Sequence, residues 1–352
     1  MPVFTDKQLK KMSSAIFEAA GVPKDEAELV STLLVEANLT GHDSHGVLRI
    51  PRYMEGVLGG HIKPGTEISI VRETPSVAVI DGKWGFGQVV ASKSMEIAIS
   101  KAKKTGIGSA SVFNCHHTGR MNTYSEMALK HDMIGIAMCN SGPLVAPFGG
   151  TDRVLSTNPL AFAVPGGKEK PFVLDMATSV RAVGGVYVKM ARGEQCPEGW
   201  LITKDGYPTT DPTEISKGGS LLPLGGIIGY KGYGLALFVD MMVGALSEAG
   251  CSSSEEYQSR PYAGGCGVFL MAIDIASFTD VDLLKQRVDN LIGTVKTSSV
   301  APGYEEILIP GEPEARSKKE RLEKGIFVEE TTWQAIQDVA KSVKVDIEKT
   351  IN

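Results

Sequence analysis

Two short stretches concentrate the residues able to do chemistry. "GHDSHGVLRIPRY" (41–53) packs His42, Asp43, Ser44, His45, Arg49 and Arg52 behind a helix stop. "FNCHHTGRMNTY" (113–124) holds His116 and His117, two of only six histidines in the chain. An imidazole beside a guanidinium suits a 2-hydroxy or 2-oxo acid. The planar fork of Arg grips a carboxylate through two parallel hydrogen bonds, and the imidazole exchanges a proton with the neighbouring oxygen. The spacing predicts Ser44 as a helix N-cap, with His45 and Arg49 one turn apart on the helix that follows and Pro51 limiting or kinking it. The plainer reading of this stretch is a polar connection between helices. His116 and His117 come just after an apolar strand, a place where catalytic groups collect. Capping the next helix or satisfying a buried carbonyl is the plainer alternative. Being adjacent, the two imidazoles point to opposite sides, so only one faces a cleft.

A different class of chemistry uses the same residues. His42, His45, His116 and His117 as metal ligands would make a metal-dependent hydrolase or lyase. HxxH and HH are not by themselves a ligand spacing class, and a metal leaves the glycine-rich turns unexplained. Those turns are "NSGPLVAPFGG" (140–150), "TNPLAFAVPG" (157–166), "VLDMATS" (173–179) and "GYKGYGLAL" (229–237). Each joins small residues to a polar side chain and could line an extended ligand with backbone N–H groups, or be only a turn. Lys231 could reach a phosphate or be solvated.

The elements that must carry these residues change in texture along the chain. Residues 5–59 read as helices, with Thr5 as a cap and stops at Gly21 and Gly41. Strand-like runs follow: "SVAVIDG", "IGSASVFN", "MIGIAMCN", "LAFAVPG", "PFVLDMA", "GWLITKDG" and "GVFLMAIDIASF". Among them lie the helices "GQVVASKSMEIAISKAKKTG" and "NTYSEMALKHD", and "YGLALFVDMMVGALSEAG", which reads as a strongly apolar, buried helix. The end is helical again. The expectation is an α/β protein in which a helical domain made by both termini (1–74 and 300–352) surrounds an inserted α/β domain (75–299). "GIGSAS" (106–111) lacks the third glycine of a dinucleotide fingerprint and precedes a strand, and "GYKGYG" has no Walker spacing. A dinucleotide, if bound, is bound by a non-Rossmann unit.

A net charge of −5 and a pI near 5.8 provide no electrostatic reason to expect nucleic acid or an anionic membrane as partner. No apolar run reaches the 18 residues of a membrane span. Five cysteines without a CxxC, and a start that reads as an amphipathic helix, point to reduced thiols and a cytoplasmic location.

Eight motifs in order, "GHDSHGVLRIPRY", "NCHHTG", "TNPLAFAVPG", "VLDMATS", "GWLITKDGYPTTDP", "LLPLGG", "YKGYGLAL" and "ILIPGEPE", resemble the malate/L-lactate dehydrogenase type 2 family over nearly the whole chain. The family comprises NAD(P)-dependent 2-hydroxyacid oxidoreductases. The resemblance implies a mainly antiparallel, non-Rossmann sheet as the nicotinamide-binding unit, NAD or NADP as cofactor, no metal, a small 2-hydroxy or 2-oxo acid as substrate, and a homodimer. It makes Arg49 the carboxylate clamp, with Thr157 near substrate and Ser44, His45 and His117 at the reacting centre. Cofactor contacts fall on His117, Thr118, Gly119, Arg120, Met121, Ser141, Asp175, Met176, Ala177, Lys231, Gly311, Glu312 and Pro313. Two departures matter. Some members complete a Ser–His–Asp relay with an aspartate shortly after "DMATS"; here "VRAVGGVYV" (180–188) has none, which favours His117 over His45 as proton carrier. Arg120 stands where many members have a small residue, as in the hydroxycarboxylate dehydrogenase subgroup.

Overall fold

The computed structural model describes residues 2–262 and 264–351. A two-residue strand (Val3–Phe4), paired antiparallel with Ile326–Phe327, precedes three helices. In α1 (Asp6–Ala19), Thr5 and Gln8 form a reciprocal capping box at the N-terminus. After α2 (Lys24–Leu39), two single 3₁₀ turns (Asp43–His45 and Val47–Arg49) lead into α3 (Ile50–Leu58), which has Pro51 in its first turn. The expected helix carrying His45 and Arg49 one turn apart is therefore absent. Gly46 is extended (φ −89°, ψ −154°) and breaks the run between the two turns, and α3 begins only after Arg49.

The main sheet has seven strands: β1 (Ser69–Glu73), β2 (Val77–Gly85), β3 (Ile107–Cys115), β4 (Met133–Cys139), β5 (Leu160–Val164), β6 (Phe172–Met176) and β7 (Cys266–Asp274). Their spatial order is β1-β2-β3-β7-β4-β5-β6. Only β2 and β3 pair in parallel, joined by α4 (Gly87–Thr105); the other five pairings are antiparallel. The sheet is mixed and mainly antiparallel, and β3, which delivers His116 and His117, lies in its interior. The helix α5 (Asn122–Leu129) packs with α4 and the sheet around a core of Ile80, Met95, Val112, Tyr124 and Leu270.

A second core gathers Leu9, Met12, Ile16 and Phe17 of α1, Leu34 of α2, Ile50, Tyr53 and Met54 of α3, and Ile326, Ile336 and Ile347 from the C-terminal end. Each such fully buried side chain contributes about 1.5–3 kcal/mol. Phe86 and Val89, at the start of α4, insert into this same core, so the N-terminus of α4 is held against the helices. The helix Glu312–Lys324, the first of three at the C-terminal end, docks on α2 through Ser317 Oγ to the Leu39 carbonyl (3.0 Å) and Lys318 to Glu36 (2.7 Å). A third, smaller core, with Val145, Val186, Leu201 and Leu221, lies beside a three-stranded sheet of two-residue strands (Leu201–Ile202, Pro208–Thr209, Ser220–Leu221).

One expectation needs correcting. The helix Tyr230–Asp240 and the π-turn Met241–Ala245 bury small residues, Gly232, Ala236, Val239 and Gly244. Tyr233, Leu237 and Met242 are half-buried against neighbouring cores, but Leu235, Phe238, Met241 and Leu246 are exposed, in company with Ile227, Ile228 and Tyr230. An apolar segment read as buried thus presents its bulky face outward, because its small-residue face is the one that fits against the chain.

Candidate active site

Asn38 organises the first stretch. Its Oδ1 accepts the amide of Val47 (2.8 Å), and its Nδ2 donates to Asp43 Oδ1 (2.7 Å). Gly46 is required beside it, since a Cβ there would stand 2.2 Å from Asn38 Oδ1. Arg321 closes on Asp43 with both terminal nitrogens, at 2.6 and 3.0 Å, and His42 lies 3.5 Å from Glu314. His42 and Asp43 are therefore tied to the helix Glu312–Lys324. Ser44, His45 and Arg49 remain for chemistry.

Ser44 Oγ and His45 Nδ1 are 2.9 Å apart, and Arg49 Nε donates to the Ser44 carbonyl at 2.7 Å. Ser44 thus orients its neighbour instead of capping a helix. Gly184, in the glycine pair of "VRAVGGVYV", packs over Ser44: a Cβ there would lie 3.3 Å from Ser44 Cβ. The guanidinium is anchored at Nε, which leaves its terminal nitrogens for a ligand.

His117 arrives from the end of β3. Its ring stacks on His45 with centroids 5.5 Å apart and 16° between planes. Its Nδ1 is 2.7 Å from the Tyr53 hydroxyl, and that hydroxyl accepts from Gln88 Nε2 at 2.7 Å. Two glycines permit the approach. Gly119 has φ 77°, and Gly87, at the start of α4, would place a Cβ 2.1 Å from the His116 carbonyl and 2.4 Å from that of His117. His116 turns the other way: its Nε2 donates to the His61 carbonyl (2.7 Å), and its ring packs against Trp84 and Tyr262. The four histidines proposed as metal ligands are not gathered, and among the described residues no group of three or more His, Cys, Asp or Glu is arranged to hold a metal ion.

The electrostatics follow from this packing. Burial, then the Arg49, His45, Arg52 and His116 charges, push the His117 pKa well below its ordinary value. Burial, then Arg49, His42 and Arg120, bring His45 down to about 3. Both imidazoles are neutral at pH 7 in the free protein.

The remaining predicted residues divide. Arg120 is buried; it donates to Thr40 Oγ1 (2.7 Å) and faces Glu126, Asp175, Glu36 and Glu314, while its Nε has no partner. Asp175 accepts the Asn122 amide (2.9 Å), and burial raises its pKa. Thr118 and Met121 turn inward: Tyr124 donates to the Thr118 carbonyl, and the Thr118 hydroxyl contacts Met121 and Cys139 sulfurs. Ser141 pairs with Ser156 (2.5 Å), and the Thr157 carbonyl accepts from Thr178. Met176 and Ala177 lie half-buried at the end of β6. Gly311, with φ 98°, caps the helix Glu312–Lys324 against Val173 of β6; Pro313 starts that helix, and Glu312 pairs with Lys296. Lys231 is exposed beside the Tyr230 ring and touches none of the other site residues. Sequence reasoning assigned no role to Asn38, Gly46, Tyr53, Gly87 or Gln88. The one available signal was the glycine cluster Gly82, Gly85 and Gly87, at the end of β2 and the start of α4, which marks close backbone approach.

Comparison with known proteins identifies the family of the chain. The family model described as malate/L-lactate dehydrogenase matches residues 4–337. The chain is 44% identical over 329 residues to a malate dehydrogenase of Pyrococcus abyssi, covering 92% of this chain and 90% of the relative. It is 39% identical over 343 residues to an L-sulfolactate dehydrogenase of Methanocaldococcus jannaschii, covering 97% of both chains. The crystal structure of a malate dehydrogenase from Entamoeba histolytica superposes with a TM-score of 0.93 at 31% identity, over 98% of this chain and 99% of that one. With the ordered motifs, the sheet and the Arg49–His117 constellation in place, the chain belongs to the malate/L-lactate dehydrogenase family and is a hydroxyacid dehydrogenase.

Proposed function

We propose that this protein interconverts a small 2-hydroxy acid and its 2-oxo acid with NAD or NADP as hydride partner, and that His117 carries the substrate proton. The carrying observation is the anchored Arg49 guanidinium beside the stacked imidazoles of His45 and His117. Arg49 binds the carboxylate through its free terminal nitrogens. His117 Nε2 exchanges a proton with the C2 oxygen, and Ser44 and His45 pack against that centre, with Thr157 near the substrate.

The orphaned buried polar atoms Arg120 Nε and Asn122 Oδ1, beside the Asp175 carboxylate, fit a polar, hydroxyl-rich ligand such as the ribose of a nicotinamide nucleotide. When bound, that nucleotide supplies or accepts the hydride. Residues 117–121, Ser141, 175–177, Lys231 and 311–313 would hold it, with Thr118 and Met121 offering backbone only. The cofactor unit is the non-Rossmann sheet domain of residues 75–299, set into a helical domain of 1–74 and 300–352. The exposed face of Leu235, Phe238 and Met241 supports a homodimer, since apolar patches of this kind mark interfaces. No helix among the described residues is long and apolar enough to cross a membrane, and the reduced thiols favour the cytoplasm. The test is an oxidation screen of NADH and NADPH against pyruvate, oxaloacetate, phenylpyruvate and the sulfonated analogue of pyruvate, with and without chelator. Turnover of at least one, indifferent to chelator, is expected. Absence of turnover with every pair overturns the reading.

A further inference from the structure

Gln88 is almost fully buried at the start of α4, and it reaches the Tyr53 hydroxyl across the junction of the two main cores. Its other amide atom, Oε1, is buried without a partner. Tyr53 is buried in turn and touches Nδ1 of His117. His117 Nε2 has no hydrogen bond within the described residues and is not among the enclosed unpartnered atoms, so it is the nitrogen left to a ligand.

We propose that Tyr53 and Gln88 are positioning residues for His117, forming a hydrogen-bond chain whose polarity reverses between the resting ring and the turnover forms, so that a proton held on Nδ1 frees Nε2 to give its proton to the substrate oxygen or take one from it. In the resting, substrate-free neutral ring Gln88 Nε2–H donates to Tyr53 Oη, and Tyr53 O–H donates to Nδ1; the ring proton then sits on Nε2. In the protonated ring, and in the neutral ring that remains once Nε2 has passed its proton to the C2 oxygen, Nδ1–H donates to Tyr53 Oη, and Tyr53 O–H must find an acceptor beyond it. A half-turn of the Gln88 amide supplies one, the Oε1 that has no partner here. A glutamine serves because it carries a donor and an acceptor on one planar group. A ring held only by packing would leave a buried nitrogen unsatisfied in one of the two states.

The proposal rests on His117 as the proton carrier, and two measurements keep the two ideas apart. The groups facing His117 are His45, Arg49 and Arg52, Tyr53, and its neighbour His116, and none of these is changed in charge by the test. Nitrogen NMR of histidine-labelled protein, with His117 assigned through His117→Asn, reads the tautomer without any substrate. Neutral His117 is expected with a protonated Nε2 and an accepting Nδ1, and Tyr53→Phe is expected to mix the tautomers. A proton found on Nδ1 of the neutral ring, or a tautomer unchanged by Tyr53→Phe, overturns the chain whatever the enzyme's substrate. In pH profiles of kcat/KM, the limb due to His117 should move down in Tyr53→Phe, which loses a charge-assisted partner, and up in Gln88→Glu, whose acceptor-only carboxylate favours the protonated ring. The Tyr53→Phe kcat should fall about tenfold to a hundredfold, less than on loss of His117 itself, with cofactor KM unchanged. Limbs that stay in place or move together count against the chain; absence of turnover with any 2-oxo acid counts against the dehydrogenase reading alone.

Discussion

Replacing Arg49 with Lys keeps the charge and removes the fork, and the structure makes the cost calculable. Nε is already committed to the Ser44 carbonyl at 2.7 Å, so the native side chain does two jobs: it braces the turn carrying Ser44 and His45, and it presents two terminal nitrogens to a carboxylate. A lysine has one nitrogen. If it stays on the Ser44 carbonyl it meets the substrate poorly, and if it reaches the substrate it leaves that carbonyl unpaired in a half-buried site. Losing one charge-assisted hydrogen bond in either case, with partial compensation by water, costs about 2–4 kcal/mol. That corresponds to a fall in kcat/KM of roughly 30- to 1000-fold. Initial rates over a range of 2-oxo acid concentration measure it, with cofactor KM and thermal stability as controls that should change little. A Lys variant within about threefold of native efficiency would refute the reasoning and remove Arg49 from the substrate site.

The histidines make a graded series: His117→Asn should lower kcat by about 10²–10⁴, whereas His116→Asn should cost less than tenfold and act mainly on stability through its bond to the His61 carbonyl. If His45→Asn is the more damaging change, the proton is carried by His45 and Ser44. Stability should also depend on pH. His45, His116 and His117 have folded pKa values below the unfolded value of about 6.5, so unfolding takes up protons below that pH, and stability falls as the solution is acidified, by up to about 1.4 kcal/mol per unit for each group before solvent screening. The raised carboxyl pKa values of Asp175, Glu126 and Glu26 oppose this at lower pH, so the steepest loss in melting temperature should lie just below pH 6.5, and a flat profile from pH 7.5 to 5.5 would contradict it. Gly87→Ala should cost about 1–3 kcal/mol and lower kcat as well, because its Cβ must push the His116 and His117 carbonyls away; a variant with native melting and native rate would show that the backbone there yields freely.

Much of this protein was legible from residue order. Period-two and period-3.6 patterns located the strands and the flanking helices, since burial of one face is a local demand on a sequence. The ordered motifs identified the family, and the adjacency of His116 and His117 meant that only one could face a cleft. Other features depend on distances between segments far apart in the chain. Ser44 was read as a cap because its type and position allow it, yet Gly46 breaks the helix and Ser44 serves His45 instead. Arg120 was expected at the cofactor from the resemblance; that folding surrounds it with four acids, from α2, α5, β6 and the helix Glu312–Lys324, is not written in its neighbours along the chain. The apolar helix at 230–240 was read as buried because hydrophobicity alone does not say which face the fold leaves open. The Gln88–Tyr53–His117 chain joins α4, α3 and the end of β3. A buried amide and a buried hydroxyl carry no mark in sequence; only the packing of α4 against both cores brings them within hydrogen-bond reach, because a hydrogen bond is decided by a few tenths of an ångström that no spacing along the chain encodes.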